Sequence, residues 1–280
     1  MENTALKPQQ ISKNSPTGSL EAFGLEVGYN RAPVIKDLSF VAEPGLFHTI
    51  LGPNGSGKST LLKALTGELS YSGRVTLNGE SLSTIRAETL ALRRGVLPQH
   101  TVLAFPLTVS EVVSLGVLRN DTVGTAKQRR NRIFEALGMV DLEGFEGRQY
   151  QSLSGGEQQR VQLARVLCQV WSPIAEDGSR RWLFLDEPVS SLDIKHQIQI
   201  MNIAADYARR GGGVLAVMHD LNLTASFADT VMVIRNGELK IMGSVAAVYK
   251  DEILSDAYDH DVQVSHVDGR SAPIVLARHG

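Results

Sequence analysis

Between residues 52 and 60 the chain reads Gly52-Pro53-Asn54-Gly55-Ser56-Gly57-Lys58-Ser59-Thr60, a run whose residue types suit a phosphate group. Glycine reaches backbone dihedrals that other residues avoid, so successive N–H groups of such a loop can converge on anionic oxygens. Lys58 offers a point charge to the outer phosphates, and the Ser59 hydroxyl offers a ligand to Mg²⁺. The run follows the apolar stretch Leu46 to Leu51 and precedes Leu61, Leu62 and Leu65 at helical spacing. That is the strand–loop–helix setting a phosphate-binding loop requires, and the helix aims its positive end at the same anion.

A second anion-binding element stands farther along, at Leu153-Ser154-Gly155-Gly156-Glu157-Gln158-Gln159-Arg160. A serine and two glycines open a long helix there, although Ser-x-x-Glu is also an ordinary capping box. Other polar groups end apolar strands. Gly95 to Pro98 leads into Gln99, Leu183 to Leu185 into Asp186 and Glu187, and Val214 to Met218 into His219. In an open α/β sheet the ligand lies where such carboxyl ends converge, so these groups read as one nucleotide site. Asp186 is the expected Mg²⁺ contact beside Ser59. Glu187, pointing the other way at a strand end, is the expected base or water-orienting group. His219 is placed to hydrogen-bond the γ-phosphate, and Gln99 to touch Mg²⁺ or the attacking water.

The elements that must position these groups are legible in outline. Phe23, Leu25 and Val27, then Leu38, Phe40 and Ala42, and then Val75 and Leu77 keep a two-residue period and predict antiparallel strands. Helical spacing begins at Glu111 to Leu115 and again at Arg129 to Leu137, beside a basic run from Lys127 to Arg132 that reads as a solvated face. Residues of roughly 100–168 therefore read as a helical insertion in an α/β domain. Ile194, Ile198, Met201, Ala205 and Ala208 predict one face of a helix. Val231 to Ile234, Asn236-Gly237 and Leu239 to Met242 predict a hairpin.

Composition bounds the rest. The 280 residues are 42% hydrophobic and 21% charged with net charge −2, an ordinary globular balance that disfavours a cationic nucleic-acid binder. The single cysteine, Cys168, excludes an internal disulfide and an all-cysteine metal site, and its apolar helical neighbours predict a buried thiol. No run approaches the roughly 18 apolar residues of a membrane span. The polar stretch 1–19 reads as a disordered tail without a signal peptide's apolar centre, so the chain is expected in the cytosol, reaching any membrane through a partner.

The octet at Leu153 to Arg160 resembles the signature of ATP-binding cassette (ABC) ATPases, and the remaining motifs fall in that family's order. Gln99 is similar to the Q-loop glutamine, Leu183 to Glu187 to the Walker B strand with its catalytic glutamate, Ser190-Ser191-Leu192-Asp193 to the D-loop and His219 to the switch histidine. Tyr29 resembles the aromatic that stacks on adenine. The resemblance covers Leu20 to Gly243. It implies a P-loop NTPase (RecA-like) α/β core with an antiparallel β-subdomain and an inserted α-helical subdomain. It also implies one ATP-binding domain over 20–270, between tails at 1–19 and 271–280.

What it implies for function is ATP hydrolysis with Mg²⁺ held by Ser59, Gln99 and Asp186. The active form would be a head-to-tail homodimer in which Ser154, Gly155, Gly156 and Glu157 of one subunit complete the other's P-loop site, with Asp193 in the D-loop. An integral-membrane permease dimer, served indirectly by a substrate-binding protein, would hold the chain at the cytoplasmic face of the inner membrane. Val96 to His100 followed by Leu103 to Val109 resembles importers of iron chelates, haem and vitamin B12. The insertion Trp171 to Trp182 and the tail with Ala257-Tyr258 and Val262 to Val264 resemble hemin-import subunits. A ferric-siderophore or cobalamin importer is the alternative, and a non-transport ABC ATPase is another. Two departures stand out: Gly116-Val117-Leu118-Arg119 in place of Gly-Arg-x-Pro, and Val189-Ser190 in place of Thr-Ser. The scattered His48, His100, His196, His260, His266 and His279 read as solvent or packing residues.

Overall fold

The computed structural model describes residues 16–29, 32–101, 103–117 and 124–278. Most of the 1–19 segment, together with Leu118, Arg119 and His279, lies outside them. Strand β1 (Leu20–Tyr29) pairs antiparallel with β2 (Ala32–Ala42). The expected alternation from Phe23 misses a feature of this pair. Leu20 and Ala22 face inward, the register then shifts, and Leu25 and Val27 continue the inward face. A bulge at Phe23-Gly24 changes the strand's parity, because side chains alternate with a period of two. Phe23 is left on the edge of the core, with the Arg74 guanidinium 4.8 Å from its ring centroid.

After β3 (Phe47–Leu51) come helix α1 (Lys58–Leu65), β4 (Ser72–Leu77) and β5 (Glu80–Ser81). The first sheet has the order β2-β1-β4-β5. Helix α2 (Ala87–Arg93) then leads into β6 (Arg94–Leu97).

Helices α3 (Val109–Val117), α4 (Ala126–Met139) and α5 (Gly155–Gln169) pack on one another through Val112, Val113, Ala136, Leu137, Val161, Ala164 and Cys168. A Cβ on Gly116 would stand 1.9 Å from the Arg165 carbonyl oxygen. The backbones of α3 and α5 therefore touch where only glycine fits. Cys168 is buried, and burial pushes its thiol up to about 12.

The chain continues through β7 (Trp182–Asp186), α6 (Ile194–Arg209), β8 (Gly213–Val217), α7 (Leu221–Phe227), β9 (Thr230–Arg235) and β10 (Glu238–Ser244). The second sheet has the order β10-β9-β3-β8-β7-β6. All its neighbours are parallel except β10, which returns from the Asn236-Gly237 turn with both turn residues at positive φ, 53° and 80°. The alternation along these buried strands divides the interior. Trp182, Phe184, Leu215, Val217 and Ile50 join α1 and the antiparallel sheet in one core. Leu183, Leu185, Val214, Ala216 and Phe47 join the helices in another. Helix α1 is thus sandwiched between the sheets, and the loop before it sits at the carboxyl edge of β3.

Two further expectations differ from the structure. The buried face of α6 is Ile200, Met201, Ala204, Tyr207 and Ala208, whereas Ile194 is 78% exposed and Ile198 40%. The helix docks on the core only from Ile200 onward, so its first turn projects past the packing surface. The segment set aside as a tail, 271–280, carries a strand. After α8 (Val245–Val248) and α9 (Asp251–Tyr258), β11 (Val262–Ser265) pairs antiparallel with β12 (Ile274–Ala277).

Candidate active site

The glycine-rich loop joins β3 to α1. Gly57 caps the helix at φ 102°, a left-handed conformation, and a Cβ there would lie 2.7 Å from Ile35 Cδ1. Glycine is required on both counts, and the first-turn amides that follow have no partners inside the helix. Ser56 is buried with its hydroxyl unpartnered, Asn54 and Gly55 are exposed, and Pro53 and Thr60 are half-buried. Lys58 Nζ donates to the carbonyls of Gly52 and Pro53, both at 2.9 Å. Burial lowers the Lys58 pKa, opposed by the nearby carboxylates of Glu187 and Asp186. The ammonium is therefore held at the mouth of the loop in an acidic surround.

Asp186 ends β7 and is buried, and its Oδ1 accepts from the Ser59 hydroxyl at 3.0 Å. Burial raises its pKa, partly offset by that hydrogen bond. Ser59 and Asp186 place two hard oxygens side by side. Among the described residues no group of three or more His, Cys, Asp or Glu could hold a metal. Such a sparse oxygen pair fits Mg²⁺, which keeps waters and phosphate oxygens among its ligands rather than entering a protein cage.

Glu187 turns away from Asp186 because its own φ is 50°. A non-glycine residue in that region stores about 1 kcal/mol or more of strain and persists only when its surroundings over-determine it. Here they do. The Glu187 N–H donates to Val217 O at 3.1 Å, and its carbonyl accepts from Gln159 Nε2 at 3.0 Å. The carboxylate accepts from Gln99 Nε2 at 2.7 Å on one oxygen and meets His219 Nε2 at 2.5 Å on the other. Its side chain is 16% exposed, so it faces a restricted opening. Three strand tips, those of β6, β7 and β8, are tied together at this carboxylate. Gln99, which sequence reasoning placed at Mg²⁺ or the attacking water, is engaged with Glu187.

Tyr29 is 48% exposed at the end of β1. Its backbone pairs with Ala32, two residues before Val34, and the Val34 and Ile35 side chains abut Gly57.

Ser154 caps α5 with a complete capping box. Its hydroxyl and N–H both donate to Glu157 Oε2 at 2.7 Å. These bonds lower the Glu157 pKa and turn its carboxylate back on the cap. Gly156 packs on the D-loop, where a Cβ would meet Leu192 Cδ2 at 3.0 Å. Ser154, Gly155 and Gly156 share an open groove with Ser191, Asp193 and His196. Among the described residues no hydrogen bond or ion pair links Ser154 to Glu157 with Gly52 to Thr60.

Sequence reasoning missed the connections behind this surface. Gln159 reaches Glu187 from the signature helix itself. The turn after α4 is a junction: Gln199 Nε2 donates to Met139 O at 2.8 Å, and buried Arg160 Nη1 donates to Val140 O and Asp141 O, both at 2.8 Å. Lys195 Nζ lies 2.6 Å from Asp141 Oδ2. His196, read as a solvent or packing residue, bridges Asp193 Oδ1 at 2.8 Å and Asp141 Oδ2 at 3.4 Å. Asp193 also caps α6. The D-loop helix and the signature helix are thereby fixed to one turn. No local pattern announces such a junction; a buried arginine inside a helical apolar run was the available signal.

The model of the family described as ABC transporter matches residues 35–190. A hemin import ATP-binding protein of Mesorhizobium japonicum is 51% identical over 257 residues, 92% of this chain and 97% of that protein. A protein of the same name from Ruegeria sp. is 53% identical over 258 residues, with 92% and 97% covered. Among solved structures, a dimeric ATP-binding cassette in a post-hydrolysis state with ADP and Pi is 26% identical, with a TM-score of 0.71 over 80% of this chain and 98% of that one. With a phosphate loop, a clasped glutamate and a signature helix joined in this fold, the chain belongs to the ABC transporter family as an ATP-hydrolysing cassette.

Proposed function

We propose that this chain is the ATP-hydrolysing subunit of a hemin importer, working as a head-to-tail homodimer beneath a membrane permease. The observation that carries the catalytic reading is the Glu187 carboxylate clasped by Gln99 and His219 at the strand tips beside the Ser59–Asp186 pair. The substrate reading is supported by relatives at about half identity whose names specify hemin import.

The loop amides and Lys58 bind the ATP phosphates, and Tyr29 stacks on the adenine. Mg²⁺, held by Ser59 and Asp186 with Gln99 adjacent, neutralises charge on the phosphate oxygens when bound. Glu187 takes the proton of the attacking water as the water oxygen bonds to the γ-phosphorus and the bridging oxygen leaves with ADP. His219 holds the carboxylate in place and reaches the γ-phosphate edge. Among the described residues no hydrogen bond or ion pair joins Ser154 to Glu157 with the phosphate loop of the same chain. The groove around Ser154 and Gly156 is suited to complete the site of a second copy, so that ATP closes the dimer and hydrolysis releases it.

No described helix is long and apolar enough to cross a membrane. On this reading a separate permease, fed by a substrate-binding protein, carries the hemin and holds the cassette at the cytoplasmic face. The test is ATPase activity of the chain purified with its neighbouring permease. Hemin should stimulate turnover, while siderophore and cobalamin leave it at the basal rate. Stimulation by either of those instead of hemin would reassign the cargo.

A further inference from the structure

The segment following β10 has no part in the chemistry above, yet it touches the machinery at two points. Tyr258, the last residue of α9, accepts the Gly52 N–H on its hydroxyl oxygen at 3.2 Å. The carbonyl of Gly52 accepts from Lys58 Nζ at 2.9 Å. One residue at the start of the phosphate loop is thus held by Tyr258 at its amide and by the phosphate-binding lysine at its carbonyl. Arg235, at the end of β9, anchors α9 in turn. Its guanidinium donates to the Asp256 carbonyl, to the Asp256 carboxylate at 2.7 Å, and faces Asp259 at 3.7 Å.

The second contact lies behind His219. Asp220 caps α7 immediately after it, and Tyr249 donates its hydroxyl to Leu221 O at 2.7 Å. Asn222 grips the backbone of β12 on both sides: Oδ1 accepts from Val275 N–H at 2.7 Å, and Nδ2 donates to Val275 O at 3.3 Å. Asp251 at the start of α9 holds the same unit, accepting from Val264 N–H at 2.8 Å and meeting Arg278 at 3.1 Å.

We infer that α9 to β12 is a positioning strap for hydrolysis: Tyr258 sets the phosphate loop, and the Asn222–Val275 clasp sets helix α7, whose cap Asp220 directly follows His219. The inference rests on the ATPase reading of the site. Burial pushes the Tyr258 hydroxyl up to about 12, so it remains a neutral partner for the loop amide at working pH. The two contacts act on different steps, and this separates the strap from a simple contribution to folding. A general loss of folded protein lowers the amount of active enzyme without changing KM.

The test uses the full-length chain and Mg-ATP. Tyr258→Phe removes one hydroxyl and leaves the Gly52 amide without its partner. It should raise KM and Kd for ATP about five- to tenfold while kcat stays within about twofold of wild type. Asn222→Ala should lower kcat about five- to tenfold while KM stays within about twofold and ATP still binds at the wild-type stoichiometry. If Asn222→Ala does not fold, Asn222→Asp, which keeps the acceptor for Val275 and loses the donor, should lower kcat in the same sense. Variants with wild-type kcat and KM, or with kcat reduced only in proportion to the ATP-binding stoichiometry, would overturn the strap while leaving the ATPase reading intact. A wild-type chain without ATPase activity would instead remove the ATPase reading.

Discussion

Replacing Glu187 by glutamine isolates the chemical step. In the native site the carboxylate accepts from Gln99 at 2.7 Å and meets His219 at 2.5 Å. The amide can keep both contacts: its oxygen accepts from Gln99, and its NH₂ donates to His219 Nε2 once the imidazole carries its proton on Nδ1. The backbone bonds to Val217 and Gln159 do not involve the side chain. The structural cost is therefore the exchange of charge-assisted hydrogen bonds for neutral ones, about 1 kcal/mol. Loss of the proton acceptor is much larger. A positioned general base contributes about 10²- to 10⁴-fold, or about 3 to 5 kcal/mol in the barrier. Phosphate release under single-turnover conditions should fall by that factor while ATP affinity and the urea midpoint stay near wild type. The variant should elute as a dimer in Mg-ATP and as a smaller species without it. Turnover within threefold of wild type would mean that Glu187 does not accept the proton.

Other consequences follow from burial and pairing. Arg160→Met keeps the aliphatic stem but strips Val140 O and Asp141 O of their donor, and should lower unfolding free energy by about 2 to 3 kcal/mol in urea. Lys195→Ala removes only the exposed partner of Asp141 and should leave the midpoint unchanged. His48 is buried, its ring 6.1 Å from Trp182, and burial lowers its pKa below 6.5. The unfolded chain then binds a proton that the folded chain refuses, so stability is complete above that pH and declines as pH falls below it. Between pH 7.5 and 5.5 the urea midpoint of wild type should drop more than that of His48→Phe. Cys168 titrates at about 12 in the fold against 9.0 ordinarily, so its contribution is complete below pH 9 and is lost as pH rises toward 12. At neutral pH its thiol should resist iodoacetamide in the native chain and react in guanidinium.

The parts of this molecule that were legible in its sequence are those whose physics is local. Gly52 to Thr60 is a contiguous loop between an apolar strand and an apolar helix face. Asp186, Glu187, Gln99 and His219 each follow a short apolar run, and strand ends converge by topology. The Asn236-Gly237 hairpin was readable because two positive φ angles demand those residue types. The remainder depends on contacts between distant segments. A bulge at Phe23-Gly24 leaves no mark on composition but reverses which residues face inward. Ile194 and Ile198 fit a helical stripe as well as Ile200 and Ala204 do, and only docking decides between them. The same holds for the junction at Met139 to Asp141 and for β12. Their partners are single side chains such as Arg160, His196 and Asn222, which carry no spacing signal.

The claim that each active site is built from two chains is tested most directly by mixing two inactive variants. Lys58→Ala spoils the phosphate loop but keeps Ser154 and Gly156, while Ser154→Arg blocks the signature groove but keeps the loop and Glu187. Each alone should bind or position only half a site and should not turn over. A heterodimer of the two has one intact composite site. An equimolar mixture should therefore recover about a quarter of wild-type ATPase activity if subunits pair at random and the sites act independently. Ser154→Arg hydrolysing ATP at the wild-type rate by itself, with no gain on mixing, would contradict the shared site and place all of catalysis within one chain.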